Sequence, residues 1–147
     1  MVAVNIHVEV TAAKGALDQI KRKIPSASMK AIAVASTFIQ NAIKDRTRKG
    51  RDFEGGSFKP YSKAYEKKRL KRSQTTTPNL KFSGLMLGNM SFKILSKTKG
   101  QVFFPDTNAN LKAFFNDQTR PFFSVSKKEE NQAYKIFTDT LMKDLRI

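Results

Sequence analysis

The sequence predicts an α+β fold in one domain, in which a small antiparallel sheet packs with a long helix in the N-terminal half and a helix at the C-terminus. Three observations lead to this prediction. Apolar residues have helical spacing over residues 27–47, alternate with polar residues over residues 90–104, and again have helical spacing over residues 127–145. The length of 147 residues is that of one ordinary domain, covering residues 1–147.

The first 25 residues predict a strand followed by a short helix. Apolar side chains occupy every second position of residues 3–10, which is typical of a strand with one buried face. A helix is expected from about residue 12 to residue 24. Pro25 is expected to end it, because proline removes a backbone hydrogen bond and crowds the preceding turn.

A long helix is predicted from about residue 27 to residue 47, with Ser26 as its cap and Gly50 as its stop. Its apolar stripe is broader than one face of a surface helix. We therefore expect this helix to be buried on more than one side, against the sheet of its own chain or against a neighbouring subunit.

The C-terminal half is predicted to contain a hairpin, a short strand and a helix. Residues 90–104 alternate and include a glycine at the turn, and residues 122–125 are expected to form a last short strand. Ser126 and Glu129 have the spacing of a capping box, so a helix is expected to begin at Lys127 and end near residue 145.

The positive charge of the chain is concentrated in one region. The net charge is +16, and residues 44–72 alone hold twelve Lys and Arg against four Asp and Glu. A local excess of this kind indicates an anionic partner, most often nucleic acid. Since no nucleic-acid-binding module is evident, any DNA contact is expected to involve phosphates and to weaken with salt.

Few residues are suited to catalysis or to metal binding. There is no Cys, and the single histidine, His7, lies on the polar side of the predicted strand, where a solvated role is expected. No nucleophile elbow, phosphate-binding loop or metal-ligand spacing occurs. We therefore expect no enzyme, cofactor or metal site; a nuclease built on Asp45, Asp52 and Glu54 is the less favoured alternative.

Neither a signal peptide nor a membrane span is evident in the sequence. The N-terminus lacks a basic region followed by an apolar core, and no apolar run approaches about 18 residues. We expect a soluble chain without a membrane partner.

A basic and aromatic segment, inserted at about residues 50–80, is predicted as a long flexible loop that carries the function. Its cations are expected to contact DNA or an acidic partner: Lys59, Lys63, Lys67, Lys68, Arg69, Lys71 and Arg72. Six residues are expected to anchor the segment or an interface: Phe58, Pro60, Tyr61, Tyr65, Phe122 and Phe123. The alternative for the basic run is a solvated helix from Ala64 to Lys71, with Leu70 and either Tyr61 or Tyr65 on its inner side.

Three short motifs carry a resemblance to a known family. The first motif is Gly56-Ser-Phe-Lys-Pro-Tyr-Ser-Lys-Ala-Tyr65, the second is Leu80-Lys-Phe-Ser-Gly-Leu-Met-Leu-Gly-Asn-Met90, and the third is Arg120-Pro-Phe-Phe123. Together they resemble the virion morphogenesis proteins of tailed bacteriophages, which are tail-completion or neck proteins. The chain departs from the family pattern at Ser83, where Thr is commoner, and at Gly88-Asn89.

This resemblance implies a noncatalytic structural protein that assembles as a ring at the head–tail junction, with a hexamer as one candidate stoichiometry. It implies other neck or tail proteins as partners, DNA in a central channel, and a location in the virion after assembly in the host cytoplasm. The alternative, from the charge alone, is a small basic nucleic-acid-binding protein that contacts the phosphate backbone.

Overall fold

The computed structural model describes residues 10–81 and 83–146, with side chains from residue 15 onward. This part of the chain contains five helices and a two-stranded antiparallel sheet, which confirms the predicted α+β class. The helices are α1 (Val10–Arg48), α2 (Lys63–Leu70), α3 (Leu85–Gly88), α4 (Thr107–Asp117) and α5 (Lys127–Leu145), and the strands are β1 (Ser91–Ser96) and β2 (Lys99–Phe103). The strand predicted for residues 3–10 lies outside the described residues, except that Val10 begins α1.

Helix α1 is continuous over 39 residues and contains Pro25, so the prediction of two helices separated at this proline is wrong. Next to the proline, Ser26 Oγ donates a hydrogen bond to the carbonyl oxygen of Lys23 at 3.0 Å. An ion pair between Lys30 Nζ and Asp144 Oδ1, at 2.6 Å, joins the next turn to the end of α5. Long-range packing therefore outweighs the helix-breaking tendency of proline.

The hairpin of β1 and β2 packs on one side of α1, and the predicted hairpin is confirmed. Ser91 pairs with Phe103 and Ile94 pairs with Gly100. Gly100 lies so close to α1 that a Cβ atom would stand 2.2 Å from Ser36 Oγ. Because any side chain would collide there, the glycine allows the sheet to approach the helix closely.

Helix α5 packs on another side of α1 and runs antiparallel to it. Its N-terminus has the predicted capping box: Ser126 Oγ accepts from the backbone N–H of Glu129 at 3.2 Å, and Glu129 Oε2 accepts from the N–H of Ser126 at 2.9 Å. Glu129 also lies 3.5 Å from Arg46 near the end of α1, whereas Asp144 pairs with Lys30 nearer its start. The hairpin and α5 of the same chain thus cover part of the broad stripe of α1, while Val34 remains 42% exposed.

Residues 122–125 do not form the predicted strand. The backbone N–H groups of Phe122 and Phe123 both donate to Asp117 Oδ1, each at 2.8 Å. The carbonyl oxygen of Phe122 accepts from Arg46 Nη2 at 2.9 Å. These side chains satisfy the backbone groups that a strand would have paired with a neighbouring strand.

The hydrophobic core joins α1 and the end of the hairpin to the central segment and to α3 and α4. Phe122 is fully buried within it and Phe58 is 5% exposed. The buried members of the cluster are Ile43, Phe58, Met86, Leu87, Met90, Phe104, Ala109, Ala113 and Phe122. The basic segment is therefore anchored directly on this core.

Candidate functional site

The loop that follows α1 positions the first aromatic residue of the basic segment. Gly50 adopts a φ of +73°, and its carbonyl oxygen accepts from the N–H of Phe58 at 2.8 Å. Asp52 Oδ1 accepts from the N–H groups of Glu54 at 3.0 Å and Gly56 at 2.7 Å. The Asp52 carboxylate thus closes the turn that places Phe58 in the core.

Helix α2 lies within the segment that was predicted as a loop, close to the alternative of a helix over residues 64–71. Ser62 caps its N-terminus, since Ser62 Oγ accepts from the N–H of Tyr65 at 3.3 Å. Tyr65 and Arg69 lie on the inner face of the helix, and Lys63 and Lys67 lie on the opposite face by helical spacing. The flexibility predicted for the segment remains a prediction.

Arg69 was predicted to contact DNA or a partner, and this is wrong because its side chain is buried, with 1% of the residue exposed. Its Nε donates to the carbonyl oxygen of Thr75 at 2.7 Å, and Nη1 donates to that of Lys81 at 3.1 Å. Nη2 donates to Asn79 Oδ1 at 3.2 Å. The guanidinium fork therefore holds the chain after α2 against the helix.

Two arginines contact the ring of Tyr61. The guanidinium carbon of Arg69 lies 5.0 Å from the ring centroid, and that of Arg120 lies 4.9 Å from it. Tyr65 meets the same ring edge-on, with the centroids 4.9 Å apart, and the Tyr61 hydroxyl accepts from the N–H of Asn79 at 3.2 Å. These cation–π and aromatic contacts fix Tyr61 inside the chain.

Arg120 connects the third motif to the first. Its Nε donates to the carbonyl oxygen of Lys59 at 2.8 Å, and its Nη2 donates to that of Pro60 at 3.0 Å. Beside this contact, Phe58 and Phe122 are members of one hydrophobic cluster. Sequence reasoning did not single out Arg120 as a site residue, although it stands in a quoted motif.

The six residues expected as anchors differ in their burial. Phe58 and Phe122 are buried in the core of their own chain, so Phe58 anchors the basic segment as expected, and neither side chain is exposed for a subunit interface. Phe123 is half-buried and lies 5.0 Å from the Phe104 ring, centroid to centroid. Tyr61 and Tyr65 are half-buried, and Pro60 is exposed.

The remaining cations of the basic segment are exposed. Lys63 pairs with Glu66 at 3.3 Å, yet its side chain is 92% exposed. The other exposed cations are Lys59, Lys67, Lys68, Lys71 and Arg72. Helical spacing over α2 and its C-terminal cap residue places Lys63, Lys67 and Lys71 on one side, which we call the outer face. An exposed cationic face of this kind can attract phosphate or carboxylate groups, with a strength that falls as salt rises.

The exposed apolar residue Leu70 also lies near this face. It is 61% exposed, so the expectation that Leu70 packs on the inner side of the helix is wrong. The inner position is occupied by Arg69, whose guanidinium donates to backbone carbonyl oxygens of the following loop. A leucine at this position would leave those oxygens without a donor.

A groove of about 470 Å³ lies between α2 and α4. Tyr61 and Tyr65 line one side, and Lys112, Asn116 and Arg120 line the other. The groove combines aromatic surface with cationic and amide donors. Such a lining suits an anionic group attached to an apolar one, such as an acidic side chain of a protein partner.

A second group of charges lies where α1, α5 and residues 122–124 meet. Burial lowers the pKa of Arg46, while the nearby carboxylate of Glu129 acts in the opposite direction. Burial also lowers the pKa of Lys44, whose Nζ donates to the carbonyl oxygen of Met90 at 3.2 Å. These cations bind backbone carbonyls and thereby stabilise the fold.

Comparisons with protein-family models, with curated sequences and with solved structures gave no match. Within residues 10–81 and 83–146, no three His, Cys, Asp or Glu side chains are grouped as metal ligands would be. In that same part of the chain, no helix combines the length and apolar character required to cross a bilayer.

Proposed function

We propose that this chain is a noncatalytic structural protein of a tailed bacteriophage, which assembles as a ring at the head–tail junction and helps to join tail to head. Its place would be the virion, after assembly in the host cytoplasm with other neck or tail proteins. The supporting observation is that the three motifs that resemble this family contact one another in space. Arg120 of the third motif bonds to Lys59 and Pro60 of the first.

The second motif takes part in the same arrangement. Met86 and Leu87 are buried in one cluster with Phe58 of the first motif and Phe122 of the third. Residues that stabilise one another in this way are those that a shared fold would require, whereas chance matches to short motifs need not be neighbours. The convergence therefore supports a common fold with the family that these motifs resemble.

Exposed apolar side chains on α4 support a role in assembly. Phe114 and Phe115 are 58% and 62% exposed, and their rings meet edge-on with centroids 5.5 Å apart. Leu111, one turn earlier, is 49% exposed. Apolar groups clustered in this way on a surface favour contact with another protein. In a ring they would contribute to contacts between subunits or with a neighbouring ring.

The outer face of α2 supports an anionic partner within such an assembly. Lys63, Lys67 and Lys71 are exposed and do not take part in the core. In a ring they would face either the DNA that passes through the channel or an acidic surface of a neighbouring protein. Both contacts would be electrostatic and sensitive to salt.

The same cations favour one alternative, a small basic nucleic-acid-binding protein that contacts the phosphate backbone. The outer face carries lysines and no exposed aromatic ring, so it offers contacts to phosphates and little stacking on bases. This alternative requires no self-association, which distinguishes it from the proposed ring.

Electron microscopy of the purified full-length chain in high salt tests the proposal. Closed particles of uniform size support the ring. A titration of the same sample with duplex DNA distinguishes the ring from the alternative. The nucleic-acid-binding alternative predicts small particles and DNA binding that is lost as salt rises. Mass spectrometry of purified particles of the phage that encodes this chain tests the virion location.

A further inference from the structure

An apolar groove runs along the edge of β2 that faces α5. Two adjoining cavities, of about 330 and about 320 Å³, make up this groove. Its floor is α1, one wall is β2 and the other wall is α5; the lining side chains include Ile32, Ala35, Ile39, Val102, Ala133 and Phe137. We call it the β2 groove.

One wall of the β2 groove is a strand edge without a partner. In residues 10–81 and 83–146, β2 pairs with β1 alone, so its second edge presents unpaired N–H and C=O groups. Sheets of two strands are marginal, and a third strand would both pair these groups and cover the groove. At the rim, Tyr134 is 69% exposed and Val125 is 40% exposed. The geometry of the groove therefore fits an added strand with one apolar face.

The two faces of the hairpin show which side chains such a strand should carry. Gly100, paired with Ile94, faces α1, as its close approach to Ser36 shows. The next pair, Lys93 and Gln101, points to the opposite face and is exposed. A third strand should therefore alternate between apolar side chains toward α1 and polar side chains toward solvent.

Residues 3–9 of this chain have that alternation. The apolar positions are Val4, Ile6 and Val8, and the polar positions are Asn5, His7 and Glu9. Residues 3–9 are long enough to pair with all five residues of β2. Strand addition to a free edge is a common mode of recognition, with affinity from the backbone and specificity from alternate side chains.

The segment cannot reach the groove of its own chain. Helix α1 begins at Val10, and the floor of the groove begins at Ile32, about 33 Å farther along the helix at 1.5 Å per residue. Residues 3–9, fully extended, reach at most about 25 Å from Val10. A strand beside Ala35 and Ile39 must therefore come from a second copy.

We propose that residues 3–9 of one copy bind as a third strand along β2 of a neighbouring copy and fill its β2 groove. The donor segment and the acceptor groove are different surfaces, so the contact is head-to-tail and can close into a ring. This inference deepens the proposed assembly function and rests on it for the closure of the ring.

Cysteine cross-linking tests the contact directly, because the chain has no Cys of its own. Chains with His7→Cys are mixed with chains with Gln101→Cys and treated with a short bismaleimide. Both positions are on the predicted solvent side of the three-stranded sheet, where neighbouring strands bring side chains within about 8 Å. The matched control replaces Gln101→Cys with Lys67→Cys, an exposed position on α2.

The proposal predicts a covalent dimer of the two different chains, and loss of that dimer with the Lys67→Cys control. It is overturned if the mixture gives no more dimer than the control. It is also overturned if a double His7→Cys, Gln101→Cys variant cross-links only within single chains, because the segment would then fold back on its own groove.

A second pair of variants separates this inference from the ring itself. Ile6→Asp places a charge on the apolar side of the added strand, whereas His7→Asp changes the solvent side. We expect loss of the oligomer with Ile6→Asp and retention with His7→Asp, measured as mass in solution. An oligomer that persists in both, without the cross-link, overturns the strand addition and leaves the proposed ring; a monomeric wild-type chain without the cross-link contradicts both.

Discussion

Arg120 and Pro60, which are sixty residues apart in the chain, are joined by a hydrogen bond of 3.0 Å from Nη2 to the carbonyl oxygen. The same guanidinium contacts the ring of Tyr61, which also carries the guanidinium of Arg69. Two arginines of a strongly basic chain are therefore used to hold its aromatic segment in place. Within the basic segment, Lys63, Lys67 and Lys71 of the outer face remain exposed to a partner.

Replacing Arg69 should destabilise the fold strongly. Arg69→Ala removes the three hydrogen bonds that a buried guanidinium donates, together with its packing on Tyr61, so we expect the free energy of unfolding to fall by about 2–4 kcal/mol. Lys71→Ala, in the same basic run but exposed, should change it by less than about 0.5 kcal/mol. Urea denaturation measures both, and equal effects of the two substitutions would contradict the structural role of Arg69.

Removing the proline from α1 should stabilise the protein. Pro25→Ala restores a backbone N–H donor inside a continuous helix, and it also raises the conformational entropy of the unfolded chain. Because the first effect is larger, we expect the free energy of unfolding to increase by about 2 kcal/mol. Thermal and urea unfolding followed by circular dichroism measure the change. A decrease in stability would mean that the chain uses Pro25 to end one helix and begin another.

The outer face of α2 should account for any binding to DNA. Removing both Lys67 and Lys71 by alanine substitution should weaken binding and reduce the slope of affinity against salt by about two. The matched control removes Lys127 and Lys135, which have exposed side chains on α5. Fluorescence titration of a short duplex at several salt concentrations measures the slopes. Equal slopes for the two double variants would show that only net charge matters.

Two substitutions of Glu129 should separate its two roles. Glu129→Gln keeps an acceptor for the N–H of Ser126 and removes the charge that faces Arg46, whereas Glu129→Ala removes both. We expect the alanine variant to be less stable than the glutamine variant by about 1 kcal/mol, the usual contribution of such a cap. Equal unfolding midpoints in urea would show that the capping box contributes little.

Local patterns in the sequence predicted the elements whose signals are contained within a few residues. Ser126 and Glu129 satisfy each other's backbone groups, so the start of α5 follows from residues three apart. The hairpin follows from alternation on both sides of a glycine turn. The packing of α5 on α1 agrees with the same kind of pattern, because each helix has an apolar side that must be buried.

The errors arose where distant residues decide the local conformation. Pro25 remains inside a helix that α5 supports, and Asp117 and Arg46 bind the backbone of Phe122 and keep residues 122–125 out of a sheet. Nothing in the basic run distinguishes Arg69 from its neighbours, because its acceptors come from the chain that follows α2. The exposed lysines of the site were predictable from charge alone, and the buried arginine was not.

The mass of the purified full-length chain in solution, measured by light scattering at about 0.1 M and about 1 M salt, tests the assembly function most directly. The proposed ring predicts one discrete oligomer with the same mass at both salt concentrations, because apolar and strand contacts hold it together. A monomer at both concentrations, which binds duplex DNA with an affinity that falls steeply as salt rises, would contradict the ring and favour the nucleic-acid-binding alternative.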